Sequence, residues 1–551
     1  MQYLISSTIL ALSLLLFGCG GTPVDPRDVA NSAPAANAPE VAPIDSSEIS
    51  IKDQATLFDD YLQKQMPPPE IQVLLEDCTE QPSDSVFCYG LLNKERLETL
   101  VASGAKSIVG RTGAVVKARF KLGKIKNWLE LRFAPVGALI HGLAATRPSE
   151  LQRLYLLASK EKGCPNNMAI AIATSREELL PERTTARDIG KLYQKGGDCI
   201  TKDPANRESL LTRAGLFYFL GEKYDTAEGL FLQASEQKTT YVGRALYWLY
   251  RSRLARGHKA PAKSALEQLK AKYPFSFHTL VALTANNQDP GDILLKSEAP
   301  ALTRSKQFPT VNALIEEVEI LQKYGFHDSA SKVLKWAVAD SQEAEPEIRL
   351  YLAELKPDDE NYRSKITLLS DVLYKNPQLI SRQTMELYFP KVLFPIFAHN
   401  TTGLDPYLLL SVARQESAFD PSAVSHTDAR GLLQLNVATG KHYQNAPPPN
   451  LFDPNENVRI AAMYLTDLLK KSNGQIHLAL AAYNAGENHV SAWTTRYTTD
   501  EPILMIDLIP YRETRDYVAS VLRNYYWYRR IHQNDSPALL KELFNTDVTK
   551  N

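Results

Sequence analysis

Cysteines and metal-binding motifs are scarce in this sequence. Its 551 residues include five cysteines, and neither a Cys-x-x-Cys nor a His-Glu-x-x-His motif occurs, so a zinc site has no support. The formal net charge of -1 gives no general reason to expect a nucleic-acid partner. The hydrophobic content of 44% is ordinary for a soluble globular protein and excludes a membrane protein with many spanning helices. A chain of this length should contain several domains or a long repeat array.

The N-terminus is the exception to this globular composition. A nearly unbroken apolar run from Leu4 to Phe17 is too short to span a bilayer but suits the core of a signal peptide. The run leads into Leu-Phe-Gly-Cys-Gly, which resembles a bacterial lipobox, where the chain is cut before the cysteine and the thiol carries a lipid. We therefore predict a lipoprotein signal peptide over residues 1–18 and lipidation of Cys19. A plain secretory signal with an incidental cysteine is the alternative.

The segment after Cys19 has the composition of a linker. Residues 19–49 are rich in Pro, Ala and Ser and show no apolar period, which predicts a disordered tether. A lipid on this tether would hold the protein at a membrane surface without spanning it. Gly20 gives no signal for retention at the inner membrane, so we expect a periplasmic protein that is lipid-anchored to the outer membrane.

Four cysteines remain once Cys19 is set aside. An even number behind an export signal suggests disulfides, and four cysteines allow three pairings. The economical pairing joins Cys78 to Cys88 and Cys164 to Cys199. Free buried thiols are the alternative.

Helical periodicity with short breaks dominates residues 50–395. Residues 210–238 and 244–274 are alike, because each has an aromatic-rich first helix, a turn with glycine and an Ala-rich second helix. Residues 321–339 repeat the pattern more weakly. Such units predict an α-solenoid of the tetratricopeptide kind, whose concave face could bind other envelope proteins.

A helix with clear start signals is predicted near the C-terminus. Asp405 is a good N-cap and Pro406 a good first residue. Positions i, i+3, i+4 and i+7 of this helix lie on one face and are occupied by Leu409, Val412, Ala413 and Glu416.

Glu416 therefore ends an otherwise apolar stripe. Removal from water disfavours an ionised carboxyl and raises its pKa. A proton held near neutral pH is what a general acid needs to protonate a glycosidic oxygen. The alternative is a buried Glu416 that pairs with Arg414 or Arg430.

Three further blocks follow the Glu-Ser-Ala-Phe end of this helix. They read SHTDARGLLQL at 425–435, LALAAYNAG at 478–486 and IPYRETR at 509–515. In this order the four blocks resemble the soluble lytic murein transglycosylases of glycoside hydrolase family 23. The resemblance implies a mainly α protein, with a lysozyme-like α-rich catalytic domain over residues 396–551 after the solenoid at 50–395.

The resemblance also implies an activity and a set of site residues. The enzyme would cut the bond between N-acetylmuramic acid and N-acetylglucosamine in peptidoglycan strands, forming 1,6-anhydromuramyl ends without a metal or organic cofactor. Glu416 matches the catalytic acid and base. The residues that match substrate contacts are Ser425, Gln434, Tyr483, Asn484 and Glu513. For Tyr483 the alternative is a core hydroxyl that caps a neighbouring loop.

Two other functions stay open at this point. A muramidase that uses water needs a second carboxylate, for which Asp428 and Asp420 are the nearest candidates. Asp428 stands where the family usually has glycine. The other possibility is an inactive glycan-binding scaffold of the envelope, supported by the solenoid.

Overall fold

The structure, a computed structural model, describes residues 166–535, apart from residues 178–179, 182–183, 201–202, 238, 240–241, 296–307, 324–326, 357–361, 402 and 445–446. The predicted signal peptide, Cys19, the tether, and Cys78, Cys88 and Cys164 lie outside the described residues. The chain divides into two compact units.

The first unit is represented among the described residues by residues 166–176 and parts of 195–206 and 238–241. It holds most of α1 (Asn166–Glu177), the end of α2 (Ala186–Asp198) and the start of α3 (Pro204–Leu220). Cys199 lies in this unit and is disulfide-bonded. Its partner is outside the described residues, so the pairing with Cys164 stays a prediction.

The second unit begins with helical hairpins, as the sequence repeats predict. After α3 comes α4 (Tyr224–Ser235), and α5 (Val242–Ala255) is followed by α6 (Lys259–Lys272). The turn between α5 and α6 contains Gly257 at φ +74°, a left-handed conformation that favours glycine. α5 packs against both α4 and α6. Successive hairpins therefore share one core, which is how a solenoid is built.

Small residues pack against aromatic residues in this core. A Cβ atom on Gly215 of α3 would lie 2.6 Å from the ring of Phe231 on α4, so glycine lets the two helices approach closely. Phe231 stacks on Trp248 of α5 with 6.3 Å between ring centres. Both rings are fully buried. The aromatic first helices and Ala-rich second helices thus fill each other's gaps.

The helical array continues to residue 388. It comprises α7 (Phe277–Ala285), α8 (Pro290–Leu294), α9 (Pro309–Lys323), α10 (His327–Asp340), α11 (Pro346–Glu354), α12 (Tyr362–Lys375), a 3-10 turn (Pro377–Leu379) and α13 (Arg382–Tyr388). α9 packs on α10 in the region of the weaker repeat. In the part of the chain that the structure describes, no helix is long and apolar enough to cross a membrane.

The C-terminal part is a cluster of helices with one small sheet. Its elements are α14 (Phe394–Asn400), α15 (Pro406–Glu416), β1 (Ala429–Arg430), β2 (Leu435–Asn436), α16 (Val437–Tyr443), α17 (Pro454–Lys471), α18 (Ile476–Ala485), α19 (Glu487–Arg496), α20 (Pro502–Leu508) and α21 (Arg512–His532). The strands pair antiparallel, with Ala429 opposite Asn436. α21 packs against α15 and α18 and buries Trp527. The predicted mainly α fold is confirmed.

A buried carboxylate joins the array to the C-terminal helices. Asp507 on α20 has no exposed surface, and its oxygens lie 2.7 Å from nitrogens of Arg244, Trp248 and His278. Burial alone would raise the pKa of Asp507, but these partners lower it. Arg244 also donates to Asp516 on α21 at 2.8 Å. Helix α5 thereby holds both α20 and the first turns of α21.

Candidate active site

Glu416 is the last residue of α15, the helix predicted from its start signals. The Asp405 side chain accepts a hydrogen bond from the backbone N–H of Tyr407 at 2.9 Å, and Pro406 is the first helical residue. The apolar stripe that leads to Glu416 is fully buried and consists of Leu409, Val412 and Ala413. Glu416 itself keeps part of its surface exposed. The helix therefore carries a carboxyl from the core to a place that a ligand can reach.

The surroundings of Glu416 favour its protonated form. Burial raises the pKa of this carboxyl to about 8. The nearby Tyr517 hydroxyl opposes this rise in the pKa, whereas the charge of Glu513 adds to it. At neutral pH the group holds a proton, as a general acid must.

Neither arginine considered as a partner in the sequence pairs with Glu416. Arg414 donates to the carbonyl oxygen of Tyr388, and its guanidinium lies 4.6 Å from the centre of that residue's ring. Arg430 forms a bidentate ion pair with Asp428 at 2.9 and 3.0 Å. The alternative that Glu416 pairs with Arg414 or Arg430 is therefore wrong. Neither arginine forms an ion pair that would favour loss of the Glu416 proton.

The loop after Glu416 is held in a conformation that side chains rarely adopt. Four residues of this loop that are not glycine have φ angles between +48° and +69°: Ala418, Phe419, Asp428 and Gln434. Such backbone persists where its surroundings fix it, and it clusters at functional sites.

Asn457 and Gly431 hold this loop in its conformation. The buried Asn457 amide donates to the carbonyls of Arg430 and Leu451 at 3.0 and 2.8 Å, and its oxygen accepts from the N–H of Leu433 at 2.9 Å. Gly431 has φ +76°, and a Cβ there would lie 2.0 Å from the Leu451 carbonyl oxygen. Only glycine fits that position.

Ser425 and Gln434 belong to the same loop. The Ser425 hydroxyl accepts hydrogen bonds from the backbone N–H groups of Thr427 and Ala429 at 3.2 and 3.0 Å. The Gln434 amide nitrogen donates to the carbonyls of Ala423 and Gly431 at 3.0 and 2.9 Å. Both side chains shape the loop, and the Gln434 amide oxygen is the end that can accept from a ligand.

Tyr483 on α18 and Glu513 on α21 both lie close enough to Glu416 to interact with it electrostatically. The Tyr483 hydroxyl donates to the Leu433 carbonyl at 2.7 Å, which is the loop-capping role considered as the alternative for this residue. Burial is the largest cause that raises the pKa of the Tyr483 phenol. The charge of the nearby Glu416 carboxylate raises this pKa further. Asn484 accepts from Thr514 at 2.7 Å and so ties α18 to α21. Glu513 is exposed.

Tyr517 is a site residue that sequence reasoning missed. It stands four residues after Glu513 on α21, so both point to one face of the helix, and this spacing was the available signal. Arg515, the last residue of the 509–515 block, is buried and donates to the Ile509 carbonyl at 2.8 Å. No group of three or more His, Cys, Asp or Glu that could hold a metal occurs among the described residues.

Comparison with known families matches residues 394–506 to the family described as the transglycosylase SLT domain. The segment that is similar to this family includes Glu416, the loop after it and α18. Glu513 and Tyr517 follow it on α21 and complete the surroundings of the carboxyl.

Two of the similar proteins are named as soluble lytic murein transglycosylases. The chain is 26% identical over 346 residues to a Haemophilus influenzae protein provisionally given that name, an alignment that covers 60% of this chain and 54% of the relative. It is 31% identical over 166 residues to the Escherichia coli K12 soluble lytic murein transglycosylase, covering 28% of this chain and 26% of that one. The chain therefore spans about half the length of the first relative and a quarter of the second.

A solved structure shares the fold. The chain resembles an inactive mutant of the lytic transglycosylase Slt from Pseudomonas aeruginosa with a TM-score of 0.53 and 19% identity, over 89% of this chain and 80% of that one. The predicted arrangement, a helical solenoid followed by a lysozyme-like catalytic domain, is confirmed at the level of the fold.

Proposed function

We propose that this chain is a lytic transglycosylase that cleaves the β-1,4 bond between N-acetylmuramic acid and N-acetylglucosamine in peptidoglycan and leaves 1,6-anhydromuramyl ends. The observation that carries the proposal is the Glu416 carboxyl, which ends a buried helix, has its pKa raised to about 8 and is paired with neither Arg414 nor Arg430. The names of the relatives support the choice of substrate.

One carboxyl performs both proton transfers in this reaction. Glu416 gives its proton to the glycosidic oxygen, the bond from that oxygen to the muramyl C1 breaks, and the leaving sugar departs with a hydroxyl. Positive charge then develops at C1. The Glu416 carboxylate next takes the proton of the muramyl C6 hydroxyl as that oxygen bonds to C1. The anhydro ring closes and Glu416 is again protonated, so no water is consumed.

The neighbours of Glu416 would orient the reacting sugars. Gln434 would offer an amide oxygen to a hydroxyl or acetamido N–H, and Ser425, Asn484 and Glu513 would offer further polar groups to the sugars. In this proposal Tyr483 acts by holding the Leu433 carbonyl and thereby the loop that faces the substrate.

A hydrolytic muramidase is less well supported. It needs a second carboxylate positioned to activate water. Asp428 is exposed and engaged bidentately by Arg430. Asp420 is exposed and accepts from the backbone N–H and hydroxyl of Ser422 at 2.8 and 2.6 Å. Both candidates therefore already have partners of their own in the loop.

The cellular setting is part of the proposal. A signal peptide over residues 1–18 and a lipid on Cys19 would place the enzyme in the periplasm, anchored to the outer membrane within reach of peptidoglycan. The helical array would hold the strand or recruit envelope proteins.

The test is mass spectrometry of the fragments that the protein releases from purified peptidoglycan. The parent should yield anhydromuramyl ends, and Glu416→Gln, which keeps the shape but cannot supply the proton, should yield none. Asp428→Asn and Asp420→Asn are the controls and should release the same ends as the parent.

Other products would change the conclusion. Reducing muramyl ends that disappear in Asp428→Asn or Asp420→Asn would establish hydrolysis in place of transglycosylation. Strand binding without release of any fragment would favour the inactive scaffold.

A further inference from the structure

Tyr511 is an exposed aromatic residue that the site described above does not use. It immediately precedes α21, and 47% of its surface is open to solvent. It makes no side-chain cap of that helix. An aromatic side chain that is both exposed and fixed in position offers a flat apolar face and a polar tip for ligand contact.

The ring of Tyr511 is held by two aromatic neighbours on α19. Its centre lies 5.2 Å from that of Trp493, with the rings nearly perpendicular at 83°. It lies 5.0 Å from the ring of His489, whose Nδ1 is 3.4 Å from the Tyr511 hydroxyl. Trp493 is only 2% exposed and forms the base of the group. Tyr511 is therefore a fixed platform rather than a loose surface side chain.

The platform lies at the edge of the surroundings of Glu416. The bond between Asn484 and Thr514 ties the end of α18 to the start of α21. His489 follows Asn484 at the start of α19, and Tyr511 precedes Glu513 by two residues, or roughly 3 Å along a helix. Two chain segments that meet beside Glu416 thus both continue into the platform.

We propose that Tyr511, held by Trp493 and His489, stacks on a pyranose ring of the glycan strand in a subsite beyond the sugars that flank Glu416. The inference rests on the proposed function and names its ligand, an N-acetylhexosamine unit of a polymer long enough to reach the platform. The C–H face of a pyranose matches the flat apolar face of a tyrosine, and an aromatic that is already rigid loses little entropy on binding.

The test measures binding and turnover separately with full-length protein. In the Glu416→Gln background, the dissociation constant for purified long glycan strands should rise about tenfold in Tyr511→Ala and in Tyr511→Leu. Tyr511→Phe should stay within twofold of the parent. In active protein, Tyr511→Ala should raise KM for long strands with kcat changed less than twofold, because the stack is the same in substrate and transition state.

The variants separate stacking from folding. Tyr511→Leu keeps an apolar cover over Trp493 but has no ring, so a loss that occurs in Ala but not in Leu would overturn the proposal. Trp336→Ala is the control, because Trp336 is an even more exposed aromatic, at 62%, on α10. Equal weakening by Trp336→Ala would indicate general adsorption of strands and would also overturn it.

The outcome is independent of the reaction itself. Strand binding that depends on Tyr511, with no fragment released by the parent, would support the subsite and refute the transglycosylase. Fragment release with KM unaffected by Tyr511→Ala would support the transglycosylase and refute the subsite.

Discussion

The Glu416→Gln variant should differ from the parent in how its stability depends on pH, whatever its activity. Burial raises the pKa of Glu416 from an ordinary value of 4.5 to about 8 in the folded protein. Between these pH values the folded chain holds a proton that the unfolded chain has released. Linkage then requires the free energy of unfolding of the parent to fall as the pH rises.

The size of the effect follows from this one proton. A difference of one bound proton changes the free energy of unfolding by about 1.4 kcal/mol for each pH unit. Between pH 4.5 and about 8, the free energy of unfolding of the parent should therefore fall by a few kcal/mol. The contribution is fully present below pH 4.5 and lost above pH 8. Glutamine is neutral throughout, so the variant lacks this slope and should be the more stable protein at alkaline pH.

Urea denaturation at a series of pH values, followed by tryptophan fluorescence, measures the difference. Asp371→Asn is the control because the pKa of Asp371 is shifted in the opposite direction: burial opposes ionisation, but Lys375 and Arg349 prevail and lower the pKa. Asp371 is then ionised in both states from pH 5 to 8, and the difference between Asp371→Asn and the parent should be flat there. A flat difference between the parent and Glu416→Gln over the same interval would refute a raised pKa at Glu416.

Three further changes test other parts of the structure. In pH–rate profiles, Glu513→Gln should move the alkaline limb to lower pH, because it removes a charge that raises the pKa of Glu416. Tyr517→Phe should move that limb to higher pH, because it removes a hydroxyl that lowers the same pKa. In urea denaturation, Asp507→Ala should cost about 3–5 kcal/mol, because it leaves the buried nitrogens of Trp248 and His278 without their acceptor and Arg244 with Asp516 alone. Gly431→Ala should lower the melting temperature and the activity together, because the new Cβ would meet the Leu451 carbonyl.

Matched variants separate each cause from a general effect of mutation. Glu386→Ala removes an ion pair whose partners are about half exposed and should cost at most about 1 kcal/mol. Gly474→Ala changes a glycine with nearly the same φ, +77°, but with open space around it, so Gly431→Ala should be the more damaging. Equal costs within either pair, or pH limbs that do not move, would contradict the corresponding argument.

The sequence by itself determined the local elements. The helix that ends at Glu416 is predicted by Asp405, Pro406 and its apolar period, because an N-cap, a first-turn proline and one buried face act within a few residues of each other. The hairpins of the solenoid are predicted for the same reason, since each is a short unit with its own turn. The order of the motifs also predicted the SLT domain.

Only the tertiary structure decided which groups surround Glu416. Tyr517 and Glu513 approach Glu416 from α21. The two arginines considered as its partners are instead bonded to Tyr388 and Asp428. These contacts could not be predicted because several partners were sterically possible.

The link between the helical array and the C-terminal helices was likewise decided by packing. Asp507 pairs with Arg244 across 263 residues of sequence, and Arg244 also holds Asp516 beside Tyr517. No period or spacing in the chain marks such a pair. A local pattern specifies which face of a helix is apolar, whereas the pKa of a buried group depends on charges and dipoles that only the folded packing brings within a few ångströms.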